Sequence, residues 1–253
     1  MASEVRYEVE RGVAWITIDR PEARNALSAA VRRGVLDATE RFNADDDARV
    51  MVLTGAGEQA FCAGGDLKEM AATELRVPPP DFVPQFGRTI AVSKPTIAAV
   101  NGVAYAGGFL LALMCDLCVA ADHARFAITE AKVGRGAPWA ARLARIVPPR
   151  VAMELLVTGD PIDAHRAYAL GFVNAVVAAA DLHGAAQELG ERIAANAPLS
   201  VAAAKSMVRE AWDADPDAFA RAEALWEPVY LSEDAQEGPR AFRERRPPNW
   251  QGR

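Results

Sequence analysis

The chain has 253 residues, 51% of them apolar, with 28 basic against 34 acidic side chains and a net charge of −6. That length and apolar content suit one large domain with a sizeable core, and the acidic balance argues against a general nucleic-acid binder, because neutralising phosphates takes a basic surface. The longest apolar run, residues 103–115, is thirteen residues, too short to cross a bilayer; residues 1–11 are charged and lack the apolar centre of a signal peptide, so a cytoplasmic protein without a membrane partner is expected.

Residues 5–10 and 13–19 alternate around Arg11-Gly12 and predict a hairpin. Ser28 is a good cap for a helix running to about Asn43, and residues 50–54 form a buried strand. The stretch from Thr54 to Ala60 imitates a dinucleotide-binding fingerprint, with Glu74 at a suitable distance. No uninterrupted helix follows Gly57, so that reading has little support. Leu67 begins a short helix, and Val77-Pro78-Pro79-Pro80 breaks it into a loop. Residues 82–93 predict a helix and 96–100 a strand. Asn101-Gly102 signals a turn, and Gly107-Gly108 opens an apolar helix. Short strands are expected at 117–120 and 126–128, helices at about 140–146, 150–157 and 163–170, and a last strand at 172–177. From Asp181 the pattern is helical, with breaks at Pro198, Pro216, Pro228 and Pro239.

Composition shifts near residue 190. A core over 1–190 and a helical region over 191–253 are therefore expected. The tail carries Trp212, Phe219, Leu225, Trp226, Val229, Tyr230 and Leu231, more apolar surface than it can enclose, so it must pack on the core or on another subunit.

Cys115 and Cys118 have the spacing of a redox or half-zinc motif. They end an apolar helix and enter a strand, which points to core packing, and no metal is expected. The histidines, His123, His165 and His183, stand beside no glycine turn, and no Gly-x-Ser-x-Gly occurs.

Two segments share one design. Phe61-Cys62-Ala63-Gly64-Gly65-Asp66-Leu67 and Asn101-Gly102-Val103-Ala104-Tyr105-Ala106-Gly107-Gly108 each follow a strand and lead into a helix. Such turns leave backbone N–H groups unpaired, and two of them can form a two-donor oxyanion hole.

With these turns in place, the chain resembles the crotonase superfamily, the enoyl-CoA hydratase/isomerase family, over nearly its whole length. Arg20-Pro21-Glu22-Ala23-Arg24-Asn25-Ala26-Leu27 is similar to the family's first CoA-contacting segment. Leu156-Val157-Thr158-Gly159-Asp160, Ala169-Leu170-Gly171-Phe172-Val173 and Ala241-Phe242-Arg243-Glu244-Arg245-Arg246 match later family stretches. The resemblance implies an α/β spiral of repeated ββα units with a C-terminal helical oligomerisation region. It also implies an acyl-CoA substrate that carries its own coenzyme A and no further cofactor, and a homo-trimer or hexamer.

By the same resemblance, the N–H groups of Ala63 and Gly107 hold the thioester oxygen. Arg24, Ala26, Gly64, Gly65, Asp66 and Leu67 contact CoA, Arg245 reaches a CoA phosphate, and Leu110 lies at the substrate; Trp139, with Phe109, is pocket wall or core, which the sequence does not separate. Family hydratases carry one glutamate three residues after the oxyanion glycine and a second twenty further on. Here those positions are Leu110 and Glu130. Val133-Gly134-Arg135-Gly136-Ala137-Pro138-Trp139 is similar to a segment of the mitochondrial-type isomerases. One carboxylate suffices to move a proton between two carbons, so the expected reaction is isomerisation of a 3-enoyl-CoA to a 2-enoyl-CoA. The alternatives are a hydratase, a non-catalytic acyl-CoA-binding protein and, against the charge balance, an RNA-binding member.

Overall fold

The computed structural model describes residues 4–73, 79, 81–133, 136–211, 232–234, 237, 244 and 246–253. Strands β1 (Val5–Glu10) and β2 (Val13–Ile18) pair in one unbroken register, Val5 with Ile18 through Glu10 with Val13. Arg11 and Gly12 join them at φ 48° and 79°, the left-handed pair that matches the twist of a two-residue hairpin. Helix α1 (Ala29–Ala44) starts at Ser28, whose Oγ accepts the Val31 N–H at 3.1 Å. Its buried stripe, Val31, Val35, Ala38 and Phe42, keeps helical spacing.

From there the chain repeats one path: a strand in a large sheet, a short strand in a second sheet, then a helix. The first pass is β3 (Val50–Gly55), β4 (Ala60–Cys62) and α2 (Leu67–Ala72). The second is β5 (Thr96–Val100), β6 (Val103–Tyr105) and α3 (Gly107–Met114). The third is β7 (Leu117–Ala121), β8 (Arg125–Ala127) and a 3-10 turn, Thr129–Val133. A second 3-10 turn, Pro138–Arg142, leads to α4 (Leu143–Ile146), α5 (Pro149–Thr158), β9 (Ile162–Asp163), α6 (Ala164–Ala169) and β10 (Ala175–Val177). Helices α7 (Leu182–Ala194) and α8 (Pro198–Ala211) follow.

The large sheet runs β1-β2-β3-β5-β7-β10 and is parallel except for β1; the second runs β4-β6-β8-β9 and is parallel except for β9. This is the expected spiral of ββα units. Its corners are tied by amides. Asn101 Nδ2 donates to Gly55 O at 2.8 Å and Gly57 O at 2.6 Å, and the fully buried Asn25 donates to Ala56 O and Ala60 O at 3.0 and 2.7 Å.

Alternation along the strands divides the core in two. Ala14, Ile16, Met51, Leu53, Ala98 and Val100 face the main core. Val13, Trp15, Val50, Val52, Ile97 and Val119 face α7. Trp15 stacks on His183 at 4.1 Å and donates to Gln187 Oε1 at 2.7 Å. Residue 190, the expected junction, lies inside α7, where a side chain on Gly190 would meet Val13 at 2.8 Å.

Residues 82–93 are not a helix. Pro84 has no N–H and disfavours helical backbone at Val83. Gly87 sits at φ 77°, and its N–H closes a turn onto Ile90 O at 2.8 Å. The strand expected at 172–177 is limited to β10, and the three-residue β6 was not foreseen. Cys62, Cys115 and Cys118 are buried and unbonded to one another, and burial pushes the Cys115 thiol up to about 12, as core packing demands. The tail aromatics from Trp212 to Tyr230 lie outside the described residues. Among the described residues, no helix is long and apolar enough to cross a membrane.

Candidate active site

The two glycine turns meet backbone to backbone. A side-chain carbon on Gly64, at φ 97°, would lie 2.9 Å from Tyr105 O and 3.4 Å from Gly107 N. One on Gly108 would lie 2.0 Å from Cys62 O, so glycine alone lets the start of α3 rest on the end of β4. Ala106 precedes α3 at φ 49° and ψ −119°, a strained setting held by its N–H on Ala127 O at 2.9 Å.

Of the two expected oxyanion donors, Gly107 keeps an N–H with no protein acceptor among the described residues. It is the first residue of α3, and its N–H belongs to the unpaired set at a helix start. Ala63 requires correction. Its N–H donates to Arg24 O at 3.0 Å and is committed to the protein. Leu27 N then donates to Gly64 O at 2.8 Å, and Leu27 bridges Gly65. The positive φ of Gly64 breaks the strand alternation, and among the described residues the N–H groups of Gly65 and Gly107 have no protein acceptor. Gly65 and Gly107 are therefore the pair free to hold a developing oxyanion.

Glu130 reaches this place through the second sheet. Strand β8 pairs with β6, Tyr105 opposite Ala127, and the Ala127 carbonyl accepts the N–H of Ala106, the residue before α3; the Thr129–Val133 turn follows. The Glu130 carboxyl is buried. Its Oε1 accepts the Trp139 Nε1–H at 3.0 Å, while Oε2 is buried with no partner among the described residues. Burial pushes the carboxyl above the usual carboxylate range, against the smaller pull of its own backbone N–H and of Trp139. Leu110 is buried at the start of α3, in the same core as Trp139. Phe109 packs on Phe126 at 5.6 Å, Phe172 at 5.3 Å and Trp139 at 6.2 Å. A raised carboxyl with one bare oxygen in apolar surroundings is equipped to take and return a proton.

The other expected contacts are scattered, and some are tied up by the protein itself. Arg24 is exposed, in left-handed backbone at φ 53°. It borders an open cavity of about 600 Å³ with Glu58, Gln59, Val103, His123 and Ala179. Ala26 is half-buried, just ahead of the Leu27 bridge. Asp66 is spent on the protein. It pairs with Arg20 Nη1 at 2.6 Å and accepts the N–H groups of Lys68 and Glu69 at 3.1 and 3.2 Å, capping α2, which Leu67 opens. The Arg20 hydrogen bond holds its carboxyl below the usual range. Gly64 is engaged too, its N–H donating to Cys62 Sγ at 3.4 Å and its carbonyl accepting the Leu27 N–H, which leaves the Gly65 N–H as the open group of this loop. Arg245 lies outside the described residues.

Sequence reasoning missed a second clamp. Arg32 donates to Leu27 O at 2.7 Å and Glu69 Oε1 at 2.9 Å and lies over the Phe82 ring at 3.9 Å. Glu69 Oε2 accepts the Ala29 N–H at 2.7 Å, so this pair ties α1 to α2 across the Leu27–Gly65 bridge. The one local signal was an acid in the first turn of α2.

Comparison with known proteins adds identity to geometry. The profile of a family described as enoyl-CoA hydratase/isomerase matches residues 8–253. The chain is 40% identical to a carnitinyl-CoA dehydratase of Salmonella arizonae and 39% identical to one of Proteus mirabilis, over the full length of each protein. Among solved structures it is similar to an enoyl-CoA hydratase from Mycobacterium tuberculosis H37Rv, with a TM-score of 0.90 and 41% identity, each chain fully covered. It is also similar to a probable enoyl-CoA hydratase/isomerase from Mycobacterium abscessus, with a TM-score of 0.89 and 41% identity over all of both chains.

Proposed function

The chain belongs to the enoyl-CoA hydratase/isomerase family of the crotonase superfamily, and we propose that this enzyme moves the double bond of a 3-enoyl-CoA to the 2-position with Glu130 as its one carboxylate. The carrying observation is the pairing of a bare, buried Glu130 Oε2 with leucine at position 110. The thioester oxygen accepts hydrogen bonds from the Gly65 and Gly107 N–H groups. Glu130 Oε2 takes a proton from C2, and the C–H electron pair passes into a dienolate whose negative charge rests on that oxygen. The proton returns to C4 as the C2–C3 double bond forms. Substrate and product are isomers, and the enzyme ends as it began.

Hydration or dehydration is the second reading, favoured by the dehydratases and hydratases among the relatives. Activating a water is work that family hydratases share between two carboxylates, and position 110 supplies none. Incubation with 3-enoyl-CoA and 2-enoyl-CoA, with products separated by mass and retention time, tests the choice. Isomer from the first supports the proposal; fast water addition to the second without migration refutes it.

The proposal extends to Arg24 and Arg245 as partners of the CoA phosphates. It also extends to a cytoplasmic trimer or hexamer built through the helical tail. Light scattering at micromolar concentration tests assembly, and a stable monomer contradicts it.

A further inference from the structure

We propose that Trp139 is a positioning residue for the proton transfer: its indole N–H holds Glu130 Oε1, so that Oε2 alone takes the substrate proton and gives it back. This rests on the reading of Glu130 as the base. A free carboxylate has two equivalent oxygens and rotates about its last torsion. A donor on one of them fixes that torsion and makes the other the more basic. The indole suits this task, since it donates and never accepts, and so it cannot compete for the proton.

Its placement is itself fixed. Trp139 stands on the Pro138–Arg142 turn, separate from the Thr129–Val133 turn that carries Glu130, and Phe109 meets its ring edge-on at 6.2 Å. Three charged side chains on the Glu130 turn, α5 and α6 are engaged elsewhere. Lys132, on the Glu130 turn, pairs with Asp160 at 2.7 Å. Glu154 on α5 and Arg166 on α6 pair with each other at 2.6 Å. Among the described side chains, Trp139 is the one hydrogen-bonded to Glu130. Burial drives the carboxyl up, and its own backbone N–H and the indole draw it down.

The test replaces Trp139 by β-(3-benzothienyl)alanine, which keeps the shape of the ring system and puts sulfur where the N–H stood. The Glu130 carboxyl stretch is titrated by infrared difference against Glu130→Gln, and kcat and KM are measured on 3-enoyl-CoA. Loss of the donor should raise the Glu130 midpoint and the acid limb of kcat by about one pH unit. It should lower kcat roughly tenfold and leave KM within about twofold. Trp139→Phe, the second variant, should raise the midpoint likewise. An unchanged midpoint and kcat in the isosteric protein overturn the proposal. If the wild type fails to turn over 3-enoyl-CoA, the isomerase reading falls. The titration still decides: a raised midpoint sustains the indole's hold on Glu130, and an unmoved one removes it.

Discussion

Two carboxylates follow strands of the second sheet, β4 and β8, and live in opposite surroundings: Asp66 comes directly after Gly65, and Glu130 comes three residues after Ala127, whose carbonyl accepts the Ala106 N–H. Asp66 has an arginine at 2.6 Å and two backbone N–H groups on its other oxygen. Glu130 has one neutral donor, a bare oxygen and aromatic neighbours. Ionisation stabilises the turn in the first case and is penalised by the site in the second. The ion-paired, depressed carboxyl keeps the loop in shape, and the elevated one is the base of the proposed reaction.

The contrast breaks most visibly at Glu130. Glu130→Gln keeps the shape and cannot accept a proton, so kcat on 3-enoyl-CoA should fall by about a hundredfold or more with KM little changed. Stability should move the other way. The folded-state carboxyl is elevated, so the native protein binds its proton more tightly than the unfolded chain does. Wild-type stability therefore falls as pH rises from the ordinary glutamate value through the elevated one, and is flat above it. The amide escapes that penalty. Glu130→Gln should melt higher than wild type at neutral pH, with the gain vanishing in acid; thermal melts across pH measure it.

Next in size is the donor pair. Gly65→Pro deletes the N–H assigned to the oxyanion and should cost about a hundredfold in rate, with circular dichroism confirming the fold. A folded Gly65→Pro enzyme with full activity would return the role to another group. Gly108→Ala tests how the turns are joined. Its new carbon would fall on Cys62 O, and a loss of several kcal/mol in a denaturant titration is expected.

Smallest is the effect at Asp66. Asp66→Asn loses the charged pair with Arg20 and weakens the cap of α2, an expected cost of about 1–2 kcal/mol with a rate loss of a few fold. Here the sign is the reverse of Glu130. The folded carboxyl is depressed, so its contribution is present above the ordinary aspartate value and is lost as pH falls through the folded one. Wild type and Asp66→Asn should differ at neutral pH and converge in acid, checked by melts of the two proteins.

Much of this was legible along the chain because it is written locally. Ser28 caps its helix, Arg11-Gly12 makes its hairpin, and both glycine turns open helices as their spacing predicts. Glu130 was singled out by its distance from Gly107 together with the family resemblance, and its buried setting came only with the fold. What escaped depends on contacts distant in sequence. Ala63 and Gly65 look alike in sequence; which N–H is free follows from the φ of Gly64 and from pairing with Arg24 and Leu27. The apolar spacing of 82–93 suggests a helix until Pro84 and Gly87 act together. Trp139 reads as pocket wall or core, and its N–H finds Glu130 because two separate turns converge. Arg20 and Asp66 are 46 positions apart, and no local pattern pairs them.

The most direct test follows one proton. A 3-enoyl-CoA deuterated at C2 is converted in ordinary water, and the product is examined for label at C4. One buried carboxylate that carries the proton from C2 to C4 predicts a 2-enoyl-CoA retaining part of that deuterium at C4. A hydroxyacyl-CoA product, or a 2-enoyl-CoA with no label at C4, would contradict it.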